Sequence, residues 1–341
     1  MVYSTAAGRL DPGYPAGTNV QNFVYSTTDK DHNSVRSSAM LLIPPGDTPA
    51  GGWPIVAWDH GTTGVGDDCA PSTTSGPHYY AGSVSALLHA GYAVVATDYV
   101  GLGTPGTHAY LVADSAGRAT IDSVRAAKTI DSRLSDRWAS VGHSQGGQAS
   151  WATNELAGSY GSGLDYRGAV AMAPVSSLSK DIDQVAGASD PIFQMYYVMI
   201  LAGMRTQEEF DYADYLGEQA RSTLPSLEKL CVMELAEHFA TKNIPPDQFT
   251  FRSSQAREKL VGLLREHETG HSPLSKPLLV LHGTADFDTP IEGIEAAIAD
   301  AKRLGGNVTF IAFPGVGHDE LATAGMPETI KWLADRFSSN Q

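Results

Sequence analysis

Short apolar runs that end near Gly, Pro or Asp recur along the chain, with helical patterns between them. The runs are 36–45 (RSSAMLLIPP), 53–61 (WPIVAWDHG), 91–99 (GYAVVATDY), 137–143 (RWASVGH), 166–174 (YRGAVAMAP), 276–283 (KPLLVLHG) and 307–313 (NVTFIAF). Val, Ile, Leu and Ala fall on both parities within them. Such strands need cover on both faces, as strands of a parallel sheet do. Residues 78–91, 115–134, 144–158, 291–306 and 327–339 read as helices. Strand alternating with helix predicts an α/β fold with right-handed crossovers and a mostly parallel, doubly wound sheet. No internal repeat is visible; DHGTTG and LHGTAD read as two strand ends of one fold.

The alternation breaks once. From Ser179 to Pro273 only helical patterns occur, at 193–205, 208–240 and 253–268. The expected organisation is a core of residues 1–178 and 274–341 with a helical cap, 179–273, inserted over the C-terminal edge of the sheet, where open α/β sheets bind ligands. The most apolar stretch, 191–204, is shorter than the roughly 20 residues that span a bilayer and reads as a buried cap helix. Phe193, Met195, Tyr196, Tyr197 and Met199 on it are candidate walls of an acyl pocket, or plain core.

A hydrophobic fraction of 42% and a charged fraction of 18% describe a folded chain rather than a disordered one. The formal net charge of −15 argues against nucleic acid and anionic membrane as partners, since both need clustered Lys and Arg. The N-terminal MVYSTAAGRLDPGYP lacks a cationic start followed by an apolar run, so no signal peptide is visible. That fits either a cytoplasmic protein or a mature secreted one without its leader. Cys69 and Cys231 are far apart in sequence; from spacing alone one disulfide and two buried thiols are both open.

The chemistry concentrates at strand ends. Gly142-His143-Ser144-Gln145-Gly146 follows the run WASVG and opens an Ala-rich helix. A strand passing into a helix through G-x-S-x-G holds its serine on a sharp turn, ready to act as a nucleophile once a base is in reach. Of eleven histidines, His318 in FIAFPGVGHDE follows the last strand, where the base of a Ser…Asp…His order falls. His143 reads as packing at the elbow, and His60 and His282 as supports of strand ends. Asp286 in LLVLHGTADFDTPI supplies the acid, with Asp288 as competitor. An oxyanion needs two donors. The expected pair is the backbone N–H of Gln145 and one from His60–Gly64, with Thr62 ahead of Thr63 and a hydroxyl as a further donor. REHETGHSP matches the zinc motif H-E-x-x-H at His267–His271. Gly270 and Pro273 break the helix that this motif requires, so no metal site is expected.

Together GHSQGG, HGTADFDTP and GVGHDE resemble the α/β-hydrolase family over nearly the whole chain. DHGTTG…DDCAPS (59–72) and YVGLGTPGTHAYLVADSAGRATIDSVRAAK (99–128) narrow the resemblance to the secretory lipases, which are capped lipases and esterases. The resemblance implies ester hydrolysis through an acyl-enzyme, no cofactor, and an acyl pocket under the cap. It assigns Ser144, Asp286 and His318 as triad and Gln145 with Thr62 or Thr63 as oxyanion donors. It also implies a Cys69–Cys231 disulfide and secretion. In the yeast members an acidic residue occupies the first-loop oxyanion position, where this chain has Thr-Thr-Gly.

The expected activity is therefore that of a serine carboxylesterase or lipase acting on a small-molecule or lipid ester. A serine peptidase or amidase on the same scaffold is the alternative within enzymes, with acidic EEFDYADYLGE as its motivation. A catalytically silent binding module is the alternative outside them.

Overall fold

The structure is a computed structural model and describes residues 1–73 and 80–338. Its strands are β1 (Val2–Ala7), β2 (Asn19–Thr28), β3 (Ser34–Ile43), β4 (Trp53–Asp59), β5 (Ala93–Val100), β6 (Leu134–His143), β7 (Asp165–Met172), β8 (Leu278–Gly283) and β9 (Val308–Phe313). They form one sheet in the order β1-β2-β3-β5-β4-β6-β7-β8-β9. From β5 through β9 every pairing is parallel, and β1, β2 and β3 extend the sheet antiparallel.

The seven strands read from the sequence are β3 to β9. The two missed, β1 and β2, lie at one end of the sheet. β1 is exposed along nearly its whole length, and β2 buries mainly alternate positions. Neither carries the apolar run on both parities that marks a strand covered on both faces.

Helices cover both faces. On one side α1 (Ala81–His89) packs Val84, Leu87 and Leu88 onto Val56, Trp58 and Val94. On the other, α2 (Ala113–Ile130) packs Ile121 and Val124 onto Ile55, Val95 and Trp138, and α3 (Gln145–Tyr160) follows β6 directly. Adjacent residues of β4 thus serve opposite cores, as period-two geometry demands. The predicted helix start at His78 and Tyr79, and the predicted end at Ser339, lie outside the described residues.

Between β7 and β8 come α4 (Leu178–Val185), α5 (Pro191–Arg205), α6 (Glu218–Arg221), α7 (Leu224–Leu227), α8 (Val232–Lys242) and α9 (Ser254–Glu266). No strand occurs there among the described residues. This insertion has its own core: Met195, Tyr197, Val198 and Met199 of α5 pack with Leu235, Phe239, Phe249, Leu260 and Leu264. Asp190 caps α5 by accepting from the Ile192 amide, and Pro191 at its first turn is pre-set for a helix start. Among the described residues no helix is long and apolar enough to cross a membrane. After β8 come α10 (Ile291–Arg303), α11 (His318–Ala324) and α12 (Met326–Ser338), with β9 between α10 and α11.

Candidate active site

β6 ends at His143 and α3 begins at Gln145, so Ser144 alone makes the turn. Its backbone sits at φ 59°, ψ −122°. A side-chain-bearing residue at such angles carries strain of about 1–3 kcal/mol and needs its surroundings to hold it there. Ser144 N–H donates to Met172 O at 2.9 Å and Ser144 O accepts from Gln148 N–H at 3.1 Å. The glycines of the motif are required by contact. A Cβ on Gly142 would lie 2.0 Å from Gly146 O, and one on Gly146 would lie 1.9 Å from Asp59 O. Strand and helix approach too closely for any side chain.

Asp286 follows β8 and His318 opens α11, so two neighbouring strand ends deliver them to the same place. His318 Nδ1 donates to Asp286 Oδ2 at 2.7 Å. Asp286 also accepts from the amides of Asp288 and Thr289 and from the Thr289 hydroxyl, at 2.9, 3.0 and 3.0 Å. Burial pushes the Asp286 carboxyl up, but the His318 bond and charge and the Thr289 donors outweigh it and hold the group below its usual range. For His318 burial favours the neutral ring, while the bond to Asp286 and the charges of Asp286, Asp288 and Asp319 prevail and raise its pKa above the ordinary 6.5. With Nδ1 committed to Asp286, Nε2 is the nitrogen left to take a proton. Asp288, the competing acid, is an exposed residue whose backbone supports Asp286.

Ser144, His318 and Thr62 line one cavity of about 60 Å³, together with Tyr110, Phe193, Tyr196 and Ile200. Gln145 is the first residue of α3, where backbone amides have no partner inside the helix and the helix dipole favours negative charge. Of the two threonines, Thr62 lines the cavity; Thr63 instead accepts Val232 N–H of α8 on its carbonyl at 2.8 Å. The disulfide Cys69–Cys231 ties the same loop to the start of α8.

His143 does more than pack. Its Nε2 donates to His318 O at 2.9 Å, its Nδ1 accepts from Tyr80 O–H at 3.1 Å, and its ring lies 4.7 Å from the His318 ring. Burial, with the His318 charge adding, lowers its pKa to about 3 and keeps it neutral for this pairing. It braces the His318 loop against the elbow, a role that spacing along the chain cannot reveal.

The α5 residues divide. Phe193 and Tyr196 line the cavity with Ile200, at i, i+3 and i+7 on one face. Met195, Tyr197 and Met199 do not line it and belong instead to the core of the insertion. A second chamber of about 330 Å³ shares Val175, Leu178, Val185, Phe193, Asp288 and Thr289 with the first, and Phe287, 85% exposed, stands at its rim. The acidic stretch 208–218 contributes no residue to either wall; Glu209 pairs with Arg205 and Glu208 with Lys259 at the surface. At the H-E-x-x-H match α9 ends at Glu266, and Gly270 has φ 93°. The two histidines therefore do not share a helix face, and Glu268 instead accepts from the amide and hydroxyl of Ser179.

Known proteins are similar to this chain over most of its length. The chain is 23% identical over 351 residues to a secreted triacylglycerol lipase of Malassezia globosa, covering 95% of this chain and 72% of that one. It is 24% identical over 343 residues to a Mycobacterium tuberculosis protein named "probable inactive lipase", covering 95% and 75% respectively. Lipase A of Candida antarctica in its closed state superposes with a TM-score of 0.76 at 19% identity, over 95% of this chain and 82% of that one. At that identity the likeness is one of fold: a mostly parallel sheet flanked by helices, the α/β-hydrolase architecture. The family model for secretory lipases matches residues 70–341. The chain belongs to the secretory lipase family.

Proposed function

We propose that the protein is an exported serine carboxylic ester hydrolase, an esterase or lipase. Ser144 is its nucleophile, His318 its general base and acid, and Asp286 the carboxylate that orients His318. One observation carries the reading: a serine held at φ 59° lines the same cavity as a histidine whose Nδ1 donates to a buried carboxylate. His318 Nε2 takes the Ser144 proton as Oγ attacks the ester carbonyl. The oxyanion gathers between the backbone amides of Gln145 and Thr62. His318 then gives its proton to the leaving alcohol, and water, deprotonated in turn by His318, releases the acid from the acyl-enzyme. The Cys69–Cys231 bond fits export, since disulfides persist in oxidising compartments.

The acyl chain enters the 330 Å³ chamber beside Phe193, where Val175, Leu178 and Val185 offer apolar walls. The acidic stretch 208–218 lines neither wall, so it lends the peptidase reading no support. The silent-module reading has one observation behind it, the name of the mycobacterial relative.

Hydrolysis of p-nitrophenyl esters from acetate to palmitate, with wild type and Ser144→Ala, tests the proposal. Activity that disappears in the variant, together with fluorophosphonate labelling of Ser144, is the expected result. A folded wild type that neither hydrolyses an ester nor takes the label would support the silent module.

A further inference from the structure

We propose that Tyr110 is a positioning residue of the oxyanion hole, aiming the Thr62 hydroxyl as a third donor at the charge that develops on the substrate. This rests on the ester-hydrolase reading above. The Tyr110 hydroxyl lies 2.8 Å from Thr62 Oγ1, and both residues line the cavity with Ser144 and His318.

The direction of that bond decides what Thr62 can do. Tyr110 is 3% exposed. Burial, helped by the charge of Asp288, raises its pKa further than the bond to Thr62 lowers it, so the phenol keeps its proton. A phenol is a stronger acid than an aliphatic alcohol, which makes Tyr110 O–H the donor and Thr62 Oγ1 the acceptor. The Thr62 proton is then directed away from Tyr110. Threonine is also stiff at χ1, so one accepted bond goes far toward fixing where its own O–H points.

Tyr110 is itself held firmly. Its amide donates to His108 O at 2.8 Å, and α5 presses Gly203 onto it so closely that a Cβ there would lie 2.3 Å from Tyr110 O. The same short segment reaches the other half of the oxyanion hole. His108 Nδ1 donates to Val100 O at 2.9 Å, leaving Nε2 to accept from Gln145 Nε2 at 2.6 Å. Burial lowers the His108 pKa to about 4, so the ring stays neutral and that acceptor persists. Residues 108–110 therefore touch the side chains of both Gln145 and Thr62, whose amides are the other two donors. A lone backbone donor from a Thr-Thr-Gly loop thereby becomes an amide and a hydroxyl held in register.

A double-mutant cycle with Thr62→Val and Tyr110→Phe, read as kcat and KM on one p-nitrophenyl ester, tests this. Loss of one oxyanion donor costs about 10²–10³ in kcat at the upper end. Thr62→Val is expected to lower kcat by about tenfold or more with KM little changed. Tyr110→Phe should give part of that loss in wild type and less than about twofold in the Thr62→Val background, because the group it positions is gone. Thr62→Ser, which keeps the hydroxyl, should retain most of kcat. Equal proportional losses in both backgrounds, or wild-type kcat in Tyr110→Phe, would overturn the inference while leaving the ester-hydrolase reading intact. If Tyr110→Phe melts early, Thr62→Ser against Thr62→Val decides: equal kcat in those two overturns it. A wild type that cleaves no ester and resists fluorophosphonate removes both readings.

Discussion

Burial alone would hold the His318 imidazole neutral to low pH, yet the Asp286 bond and the charges of Asp286, Asp288 and Asp319 raise its pKa above 6.5. The sign matters for catalysis. In the proposed mechanism a protonated His318 cannot accept the Ser144 proton, so kcat/KM is expected to rise with pH as the ring deprotonates, and the acid limb to report this group in the free enzyme. Its midpoint is expected above the ordinary histidine value. His143 titrates far lower and stays neutral throughout. In Asp288→Asn one raising charge is lost, so the midpoint should move to lower pH; a midpoint that stays put would remove Asp288 from the electrostatics of the site. Ser144, Asp286 and His318 were legible in the sequence because each follows a strand end recognisable from local pattern. His143, His108 and Tyr110 were not. Their partners lie 175, 37 and 48 residues away, and no local periodicity encodes such contacts.

Strands were legible where the sequence carries an apolar run, whether buried throughout like β8 or at the sheet edge like β9. β3 to β9 stood out as apolar runs, whereas β1 and β2, polar and antiparallel at the sheet end, gave no such signal. The insertion was legible as an interruption of alternation, but not which face of α5 meets the cavity. Nor could spacing show that its α8 is fastened twice to the loop that carries Thr62, by Cys69–Cys231 and by Val232 N–H on Thr63 O. The cross-link spans 162 residues, and loop-closure entropy assigns such a bond about 5 kcal/mol at most. The paired variant Cys69→Ser with Cys231→Ser is therefore expected to melt well below wild type. Its kcat should also fall, because the loop that carries Thr62 loses one of these two ties to α8. Calorimetry and ester kinetics on the same preparation check both. A variant as stable and as active as wild type would mean that the core of the insertion suffices to hold the loop.

Across the whole molecule, strand ends and helical insertion together line the space proposed to hold the substrate. The cavity at Ser144 holds about 60 Å³, and the chamber beside it about 330 Å³. The chamber lies at the lower end of the roughly 300–1,000 Å³ that ligand pockets span. A medium-length acyl group is expected to fill it, and palmitate to leave part of its chain outside, past the exposed Phe287 at the rim. The expected profile on p-nitrophenyl esters rises from acetate to the medium chains and falls toward palmitate. Gln184 lines the chamber and not the cavity, so Gln184→Trp should narrow the chamber while sparing the cavity. Each methylene kept from an apolar wall forfeits about 0.8 kcal/mol, so two of them cost roughly tenfold. Octanoate should therefore lose about tenfold or more in kcat/KM in this variant, with acetate nearly unaffected. An equal loss on both esters would point to distortion of the site itself. Palmitate as the best wild-type substrate would place the chain over the Phe287 rim, with the chamber left to another part of the ester.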